Sequence, residues 1–330
     1  MTIPSPAGPA KLETNPGGSR PRVLIAAELE SLLPADPVPG YEAVWISTPD
    51  PTPRGDYVAI IPLLSRSMGA EELEGLPNLQ VLAQCAVGYD NIDLGAAARR
   101  GIPVTNTPDV LTESTADLTW ALILAVARRV KEGQEILAAG AWTGWSPTQL
   151  LGMELNGSTL GIVGAGRIGR AVGRRGVGFG MRILYSDYEP RGAFESATGA
   201  GKVDFPHLLA ESDVVTVHVP STPETRGLFG ADSFSLMKPG ALFINTARGD
   251  LVDEGALLTA PDQGVLGGAG LDVFSHEPEV PPELVAHPRV VALPHIGSAT
   301  THTRRAMAEL AVRNALAVLA GREPLTPVKG

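Results

Sequence analysis

The chain has 330 residues, with 26 Lys and Arg against 36 Asp and Glu, a formal net charge of −10. That balance disfavours partners recognised through phosphate charge, namely nucleic acid and anionic membrane, and leaves small-molecule chemistry. Hydrophobic residues at 44% and charged residues at 19% fit an ordinary globular protein, long enough for two domains with sizeable cores.

Residues 1–20 are rich in Pro, Gly and Ser and lack the apolar core of a signal peptide, so a disordered tail is expected there. From Arg22 to Asn106, short β-branched runs (Val23–Ala26, Ala43–Ile46, Val58–Ile61, Val81–Ala83 and Ile102–Thr105) alternate with helix-like or loop segments. This alternation predicts a small parallel α/β domain. Cys85, the only cysteine, closely follows one such run and is expected to be a buried packing residue with no intrachain disulfide. Thr112 to Val130 reads as an apolar helix, with Ser114 and Asp117 at capping-box spacing. Its longest apolar run, Ala121–Ala127, is too short to span a bilayer, and a cytoplasmic location is expected.

Thr159-Leu-Gly-Ile-Val-Gly-Ala-Gly-Arg-Ile-Gly169 sets an apolar strand directly against a Gly-x-Gly-x-x-Gly turn that opens a helix. In that context Gly164 allows the tight turn, Gly166 the approach of a pyrophosphate to the backbone, and Gly169 close helix packing. The next apolar run, Met181–Tyr185, leads to Asp187, an acid at the distance where one binds an adenosine ribose. Runs at Val214–Val219, Ala241–Asn245, Ala269–Asp272 and Val290–Leu293 bring the strands of this second domain to six, the number two mononucleotide-binding halves require. The segment Thr300–Ala320 has helical spacing and is expected to cross back to the first domain. Together these features predict two Rossmann-like, doubly wound parallel domains of the α/β class. The expected division is residues 21–110 completed by 299–330, and a dinucleotide-binding domain over 111–298.

Three strings follow strands of the second domain: Asn245-Thr-Ala-Arg248-Gly-Asp250, Gly270-Leu-Asp272-Val-Phe-Ser-His-Glu277-Pro278 and Leu293-Pro-His295-Ile-Gly-Ser298. Ligands of open α/β sheets bind beyond the carboxyl ends of the strands, so the strings should meet at the nicotinamide end of the cofactor. Arg248 offers the planar fork that suits a substrate carboxylate, and His295 a proton donor that works near neutral pH. Glu277 would stabilise the imidazolium. This set suits reduction of a 2-keto acid. Taken singly, the same residues read as a solvated loop arginine, a surface turn glutamate and a core histidine. His207, His218, His276, His287 and His302 show no such convergence and read as structural or exposed, and Asp250 and Asp253 as loop hydrogen-bond acceptors. No His/Cys spacing suggests a metal site.

From about Arg22 to Leu325 the chain resembles the D-isomer-specific 2-hydroxyacid dehydrogenases, and within them the glyoxylate/hydroxypyruvate reductases. Thr107–Asp117, Gly144-Trp-Ser-Pro147 and Leu293–Thr300 carry the closer likeness. The resemblance implies Arg248, Glu277 and His295 as the catalytic set and Asp272 as a ligand of the nicotinamide carboxamide. It implies backbone N–H groups of Val87 and Gly88, in Cys-Ala-Val-Gly-Tyr-Asp-Asn, as donors to the substrate carboxylate. Arg167, Ile168, Thr246, Ala247, Gly297 and Ser298 would complete the cofactor site. Trp145 is similar to a tryptophan that a partner subunit supplies to the substrate pocket, which implies a homodimer. Asp187 stands where many such reductases carry Ser, Gly or Arg and use the phosphorylated cofactor, so NAD is expected, with Arg191 four residues on leaving NADP open. The competing readings are a phosphoglycerate dehydrogenase, for which Pro62–Arg66 offers a single cation, and an NAD(H)-sensing corepressor-like scaffold built on the same fold.

Overall fold

The computed structural model describes residues 19–328, so the expected tail lies outside the described residues save for Ser19 and Arg20. The chain forms two units, residues 19–111 with 300–328, and residues 112–299.

The first unit is built on a five-stranded parallel sheet of β1 (Arg22–Ala26), β2 (Glu42–Ile46), β3 (Ala59–Ile61), β4 (Val81–Ala83) and β5 (Val104–Thr105), in the order β2-β1-β3-β4-β5. Leu24, Ile60, Leu82 and Val104 occupy one face and pack with Leu73 of α1 (Ala70–Glu74) and with Ala96 and Ala97 of α2 (Leu94–Arg99). β1, β3, β4 and β5 are buried on both faces and read as unbroken apolar runs, whereas β2, on the sheet edge, is only half-buried.

The second unit opens with α3 (Thr112–Ala127) and α4 (Val130–Ala138), separated by Arg129, whose φ of 53° breaks the helix. The helix expected to run to Val130 therefore stops at Ala127. Ser114 and Asp117 do not take the expected places at the helix start: both lie inside α3, and Asp117 pairs with Arg175 at 2.7 Å. The sheet comprises β6 (Thr159–Val163), β7 (Arg182–Ser186), β8 (Gly201–Lys202), β9 (Val214–Val217), β10 (Ala241–Asn245), β11 (Leu266–Leu271) and β12 (Val290–Ala292). The order is β12-β11-β10-β9-β6-β7-β8, entirely parallel, with the crossover between β6 and β9. Seven strands thus replace the six expected. The addition, β8, is a two-residue Gly-Lys pairing on the sheet edge that carries no apolar signal.

Alternation along the central strands feeds two cores. Leu160, Ile162, Leu242 and Ile244 face α3 and α5 (Arg167–Gly178) with Trp120 and Val172, while Val215, Val217 and Phe243 face the other side with Leu208 and Phe234. The final helix (Thr301–Leu319) is N-capped by the Thr300 hydroxyl, belongs to the first unit and packs on β3 and β4. Cys85 is 5% exposed, and burial pushes its thiol up to about 12, as befits packing rather than nucleophilic use. Among the described residues no helix is long and apolar enough to cross a membrane.

Phe243 is fully buried between Phe229 and Phe234, with ring centroids 4.8 and 5.3 Å away. Phe243→Ala is expected to destabilise the second unit by about 3–5 kcal/mol, read from the midpoint of urea unfolding at unchanged slope.

Candidate active site

The glycine turn after β6 has the geometry its sequence implies. Gly164 sits at φ 93°, and a Cβ there would lie 2.8 Å from the His218 carbonyl. A Cβ on Gly169 would lie 2.2 Å from the Gly164 oxygen, so only glycine lets α5 pack this close to the strand. Gly166 caps α5 with no side-chain hydrogen bond, and a Cβ on it would meet nothing within 4 Å. Open backbone donors at a helix N-terminus fit a pyrophosphate. Arg167 is exposed beside this turn, and half-buried Ile168 packs against the core.

Asp187 follows β7 and is tied to Arg191, whose Nη2 lies 3.1 and 3.0 Å from its two carboxylate oxygens and whose Nε lies 3.3 Å from Oδ2. The Arg191 backbone N–H donates to the Tyr185 hydroxyl at 2.8 Å, and that hydroxyl donates in turn to Glu195. A carboxylate at the end of β7, paired with Arg191 and within reach of the Arg170 charge, fits the ribose of a dinucleotide. The residues present therefore suit a nicotinamide dinucleotide along the carboxyl edge of this sheet.

Beyond β10, Asn245 shapes the turn: its side-chain amide donates to the Arg248 carbonyl at 2.8 Å, and its oxygen accepts the Ala247 N–H at 3.0 Å. Thr246 is backed by Thr119 of α3, hydroxyl to hydroxyl at 3.0 Å. Half-buried Arg248 donates to the Ala247 carbonyl at 2.6 Å, and its charge reaches Glu277.

Past β11 lies Asp272, only 1% exposed. Its oxygens accept the backbone N–H groups of Ile296 at 2.8 Å and Gly297 at 2.7 Å. Burial raises this carboxyl to about 6, although the two donors and His295 act in the opposite direction. Those donors directly follow His295, a non-glycine residue in the left-handed region at φ 53°. The Asp272 carboxylate thus secures a conformation that side chains rarely adopt. His295 Nδ1 meets Glu277 Oε2 at 2.7 Å, and Glu277 Oε1 accepts the Phe274 N–H at 3.0 Å. Partial burial opposes ionisation of Glu277, but the His295 hydrogen bond and charge, the Phe274 N–H and Arg248 outweigh it and hold the carboxyl below its usual range. With Nδ1 engaged, Nε2 is the nitrogen through which His295 can exchange a proton.

Arg248, Glu277 and His295 are thus neighbours in one unit, together with Asp272, Gly297 and Ser298. Val87 and Gly88 belong to the first unit, on the loop after β4, and Trp145 lies on an exposed segment of the second, 82% exposed. Half-buried His218, hydrogen-bonded to Thr216 at 2.9 Å and pushed down to about 3 by burial, stays neutral at the end of β9. Asp253 caps the following short helix and Asp250 takes Ser221 and Arg226, so both act as loop acceptors. Arg66, the cation expected of a phosphorylated-substrate site, is 4% exposed, and its guanidinium is committed to the Ser47 and Asp50 carbonyls and the Thr52 hydroxyl. Sequence reasoning missed Tyr185 and Thr119, the supports behind Arg191 and Thr246, because both read as ordinary core positions.

Comparison with known proteins agrees with this geometry. Residues 120–297 match the family model described as the NAD-binding domain of D-isomer-specific 2-hydroxyacid dehydrogenases. The chain is 47% identical over 295 residues to a glyoxylate reductase of Thermococcus litoralis, an alignment covering 86% of this chain and 89% of the relative. Among solved structures, a Thermus thermophilus protein superposes with TM-score 0.84 at 44% identity, covering 93% of this chain and all of that one. The NADPH-dependent glyoxylate/hydroxypyruvate reductase of Sinorhizobium meliloti, solved with NADP and malonate, also gives TM-score 0.84 at 38% identity, covering 94% and 97%. The chain belongs to the D-isomer-specific 2-hydroxyacid dehydrogenase family.

Proposed function

We propose that the protein reduces a small 2-keto acid, glyoxylate or hydroxypyruvate, to the D-2-hydroxy acid with a nicotinamide cofactor. The observation that carries this reading is the Glu277–His295 pair at 2.7 Å with Arg248 beside it, on the carboxyl edge of a dinucleotide-binding sheet. When bound, the reduced nicotinamide supplies the hydride for the keto carbon. His295 gives the proton to the carbonyl oxygen from Nε2, while Glu277 holds the ring through Nδ1 and stabilises the imidazolium. Arg248 grips the substrate carboxylate and draws electron density toward the carbonyl oxygen. Val87 and Gly88 serve the substrate carboxylate through their N–H groups.

Gly164, Gly166, Arg167, Ile168 and Gly169 hold the pyrophosphate, and Asp187 the adenosine ribose. Thr246, Ala247, Asp272, Gly297 and Ser298 serve the nicotinamide end. Exposed Trp142 and Trp145, at 54% and 82%, together with Leu137 and Leu151, support a homodimer in which Trp145 shapes the substrate pocket of the other protomer.

His295→Gln is expected to lower kcat by roughly 10²–10⁴ with cofactor affinity retained, and near wild-type turnover would remove His295 from the mechanism. Glu277→Gln should act through pH instead. Glu277 stays ionised below the normal carboxylate range, so its loss leaves the acid side in place and makes reduction fail at lower pH on the alkaline side, where the imidazolium no longer has its anion.

Arg248→Lys keeps the charge and loses the fork, and is expected to reduce kcat/KM at least about 10-fold. A change confined to the Kd of NADH would make Arg248 a cofactor residue.

Asp187 favours NADH because its carboxylate repels a 2′-phosphate and accepts the ribose hydroxyls. Asp187→Ser releases Arg191 and should narrow the preference for NADH over NADPH, with a parallel gain in binding of adenosine 2′,5′-bisphosphate. A higher kcat/KM with NADPH than with NADH in the unsubstituted enzyme would overturn the assignment.

A further inference from the structure

The loop after β4 carries a hydrogen-bond pattern that no motif announces. Three successive carbonyls, of Ala86, Val87 and Gly88, are each taken by a donor of the first unit. Ala86 accepts the Thr107 N–H at 2.9 Å, Val87 accepts the Asn106 side-chain amide at 2.8 Å, and Gly88 accepts the Gln84 amide at 3.3 Å. The donors are themselves fixed. Gln84 is fully buried, and its amide also donates to Asn91 Oδ1 at 2.8 Å, while Asn91 donates to the Arg66 carbonyl at 2.6 Å. Asn106 is bound through its backbone to Thr326, with the Thr326 hydroxyl donating to its carbonyl at 2.6 Å and its own N–H donating to the Thr326 carbonyl at 3.2 Å. Thr326 is held in turn by Asn314, a fully buried residue of the final helix, at 2.7 Å.

In a trans peptide the N–H of each residue points opposite to the carbonyl before it. Tying down the carbonyls of residues 86–88 therefore turns the N–H groups of Val87, Gly88 and Tyr89 away from those donors. Among the described residues none of these three N–H groups has an acceptor. Val87 and Gly88 are half-buried and Tyr89 is exposed, so the row lies where a ligand can reach it. Successive N–H groups left without acceptors suit an anion. The Arg304 charge, felt at neighbouring Cys85, favours the same sign of ligand.

We propose that Asn106 and Gln84 are positioning residues which, with the Thr107 N–H, hold the three carbonyls back and so present Val87, Gly88 and Tyr89 N–H as a three-donor cradle for the carboxylate of the 2-keto acid. The proposal rests on the reading above that the substrate is a 2-keto acid. It adds Tyr89 as a third donor and names the side chains that aim the other two.

The test uses the full chain, with glyoxylate as substrate and oxalate as a carboxylate probe. Asn106→Ala and Gln84→Met are each expected to raise the KM for glyoxylate and the Kd for oxalate about 10-fold, more than they lower kcat, with the Kd for NADH unchanged. In the unsubstituted protein, oxalate should shift the amide resonances of Val87, Gly88 and Tyr89, a readout that holds even if a variant fails to fold. Amides that ignore bound oxalate, or folded variants with unchanged KM and Kd, would overturn the proposal. Failure of the unsubstituted protein both to reduce glyoxylate and to bind oxalate would overturn the functional reading itself.

Discussion

In an all-parallel sheet every strand ends on the same edge, and the chemistry of the second unit depends on that constraint. β6, β7, β10, β11 and β12 deliver the glycine turn, Asp187, Arg248, Asp272 with Glu277, and His295 to one edge, although these residues span more than a hundred positions of sequence. The strands are short, and the central ones, β6, β9 and β10, are buried throughout, so apolar runs mark where they end. The residues just beyond those ends become the site. The two faces stay apolar because the helices lie on them, which leaves the carboxyl edge as the place for polar chemistry.

Within that edge the balance is electrostatic. Burying a carboxylate is unfavourable, and Asp272, raised to about 6, shows the strain of it. What it secures is the backbone after His295, where a left-handed residue costs about 1–3 kcal/mol and two charge-assisted hydrogen bonds offset the strain. Glu277 meets the opposite environment. A histidine, an arginine and a backbone N–H surround it, and the carboxyl stays ionised despite partial burial. Two carboxylates a few residues apart thus take different work: one holds the loop, the other holds the ring.

A second use of buried and half-buried polar groups recurs in the first unit. Gln84, Asn91, Asn106 and Asn314 form side-chain bridges to backbone groups rather than to one another alone, and each satisfies a loop carbonyl or N–H that secondary structure leaves unpaired. The Asp187–Arg191 pair is organised in the same way, since the Tyr185 hydroxyl holds the Arg191 backbone while the guanidinium lies on the carboxylate. These loops are thereby held by side-chain hydrogen bonds without being part of a helix or strand.

The sequence by itself determined the α/β class, the parallel strands, the dinucleotide turn and the Arg248, Glu277 and His295 strings, because each is a local pattern: an apolar run, a glycine spacing, a polar string at a strand end. It misplaced what depends on partners distant in the chain. Ser114 and Asp117 have the spacing of a cap, yet Asp117 pairs with Arg175, and β8 exists only because β7 offers an edge to a Gly-Lys dipeptide. Arg66, the single cation that the Pro62–Arg66 string offered, is taken up by the Ser47 and Asp50 carbonyls of a distant segment, which the string itself does not reveal. The strained backbone of His295, the double duty of Tyr185 and the clasp on Ala86–Gly88 were decided by tertiary structure alone. In each case the stabilising group comes from another segment, and burial, which no local pattern records, sets the strength of the bond.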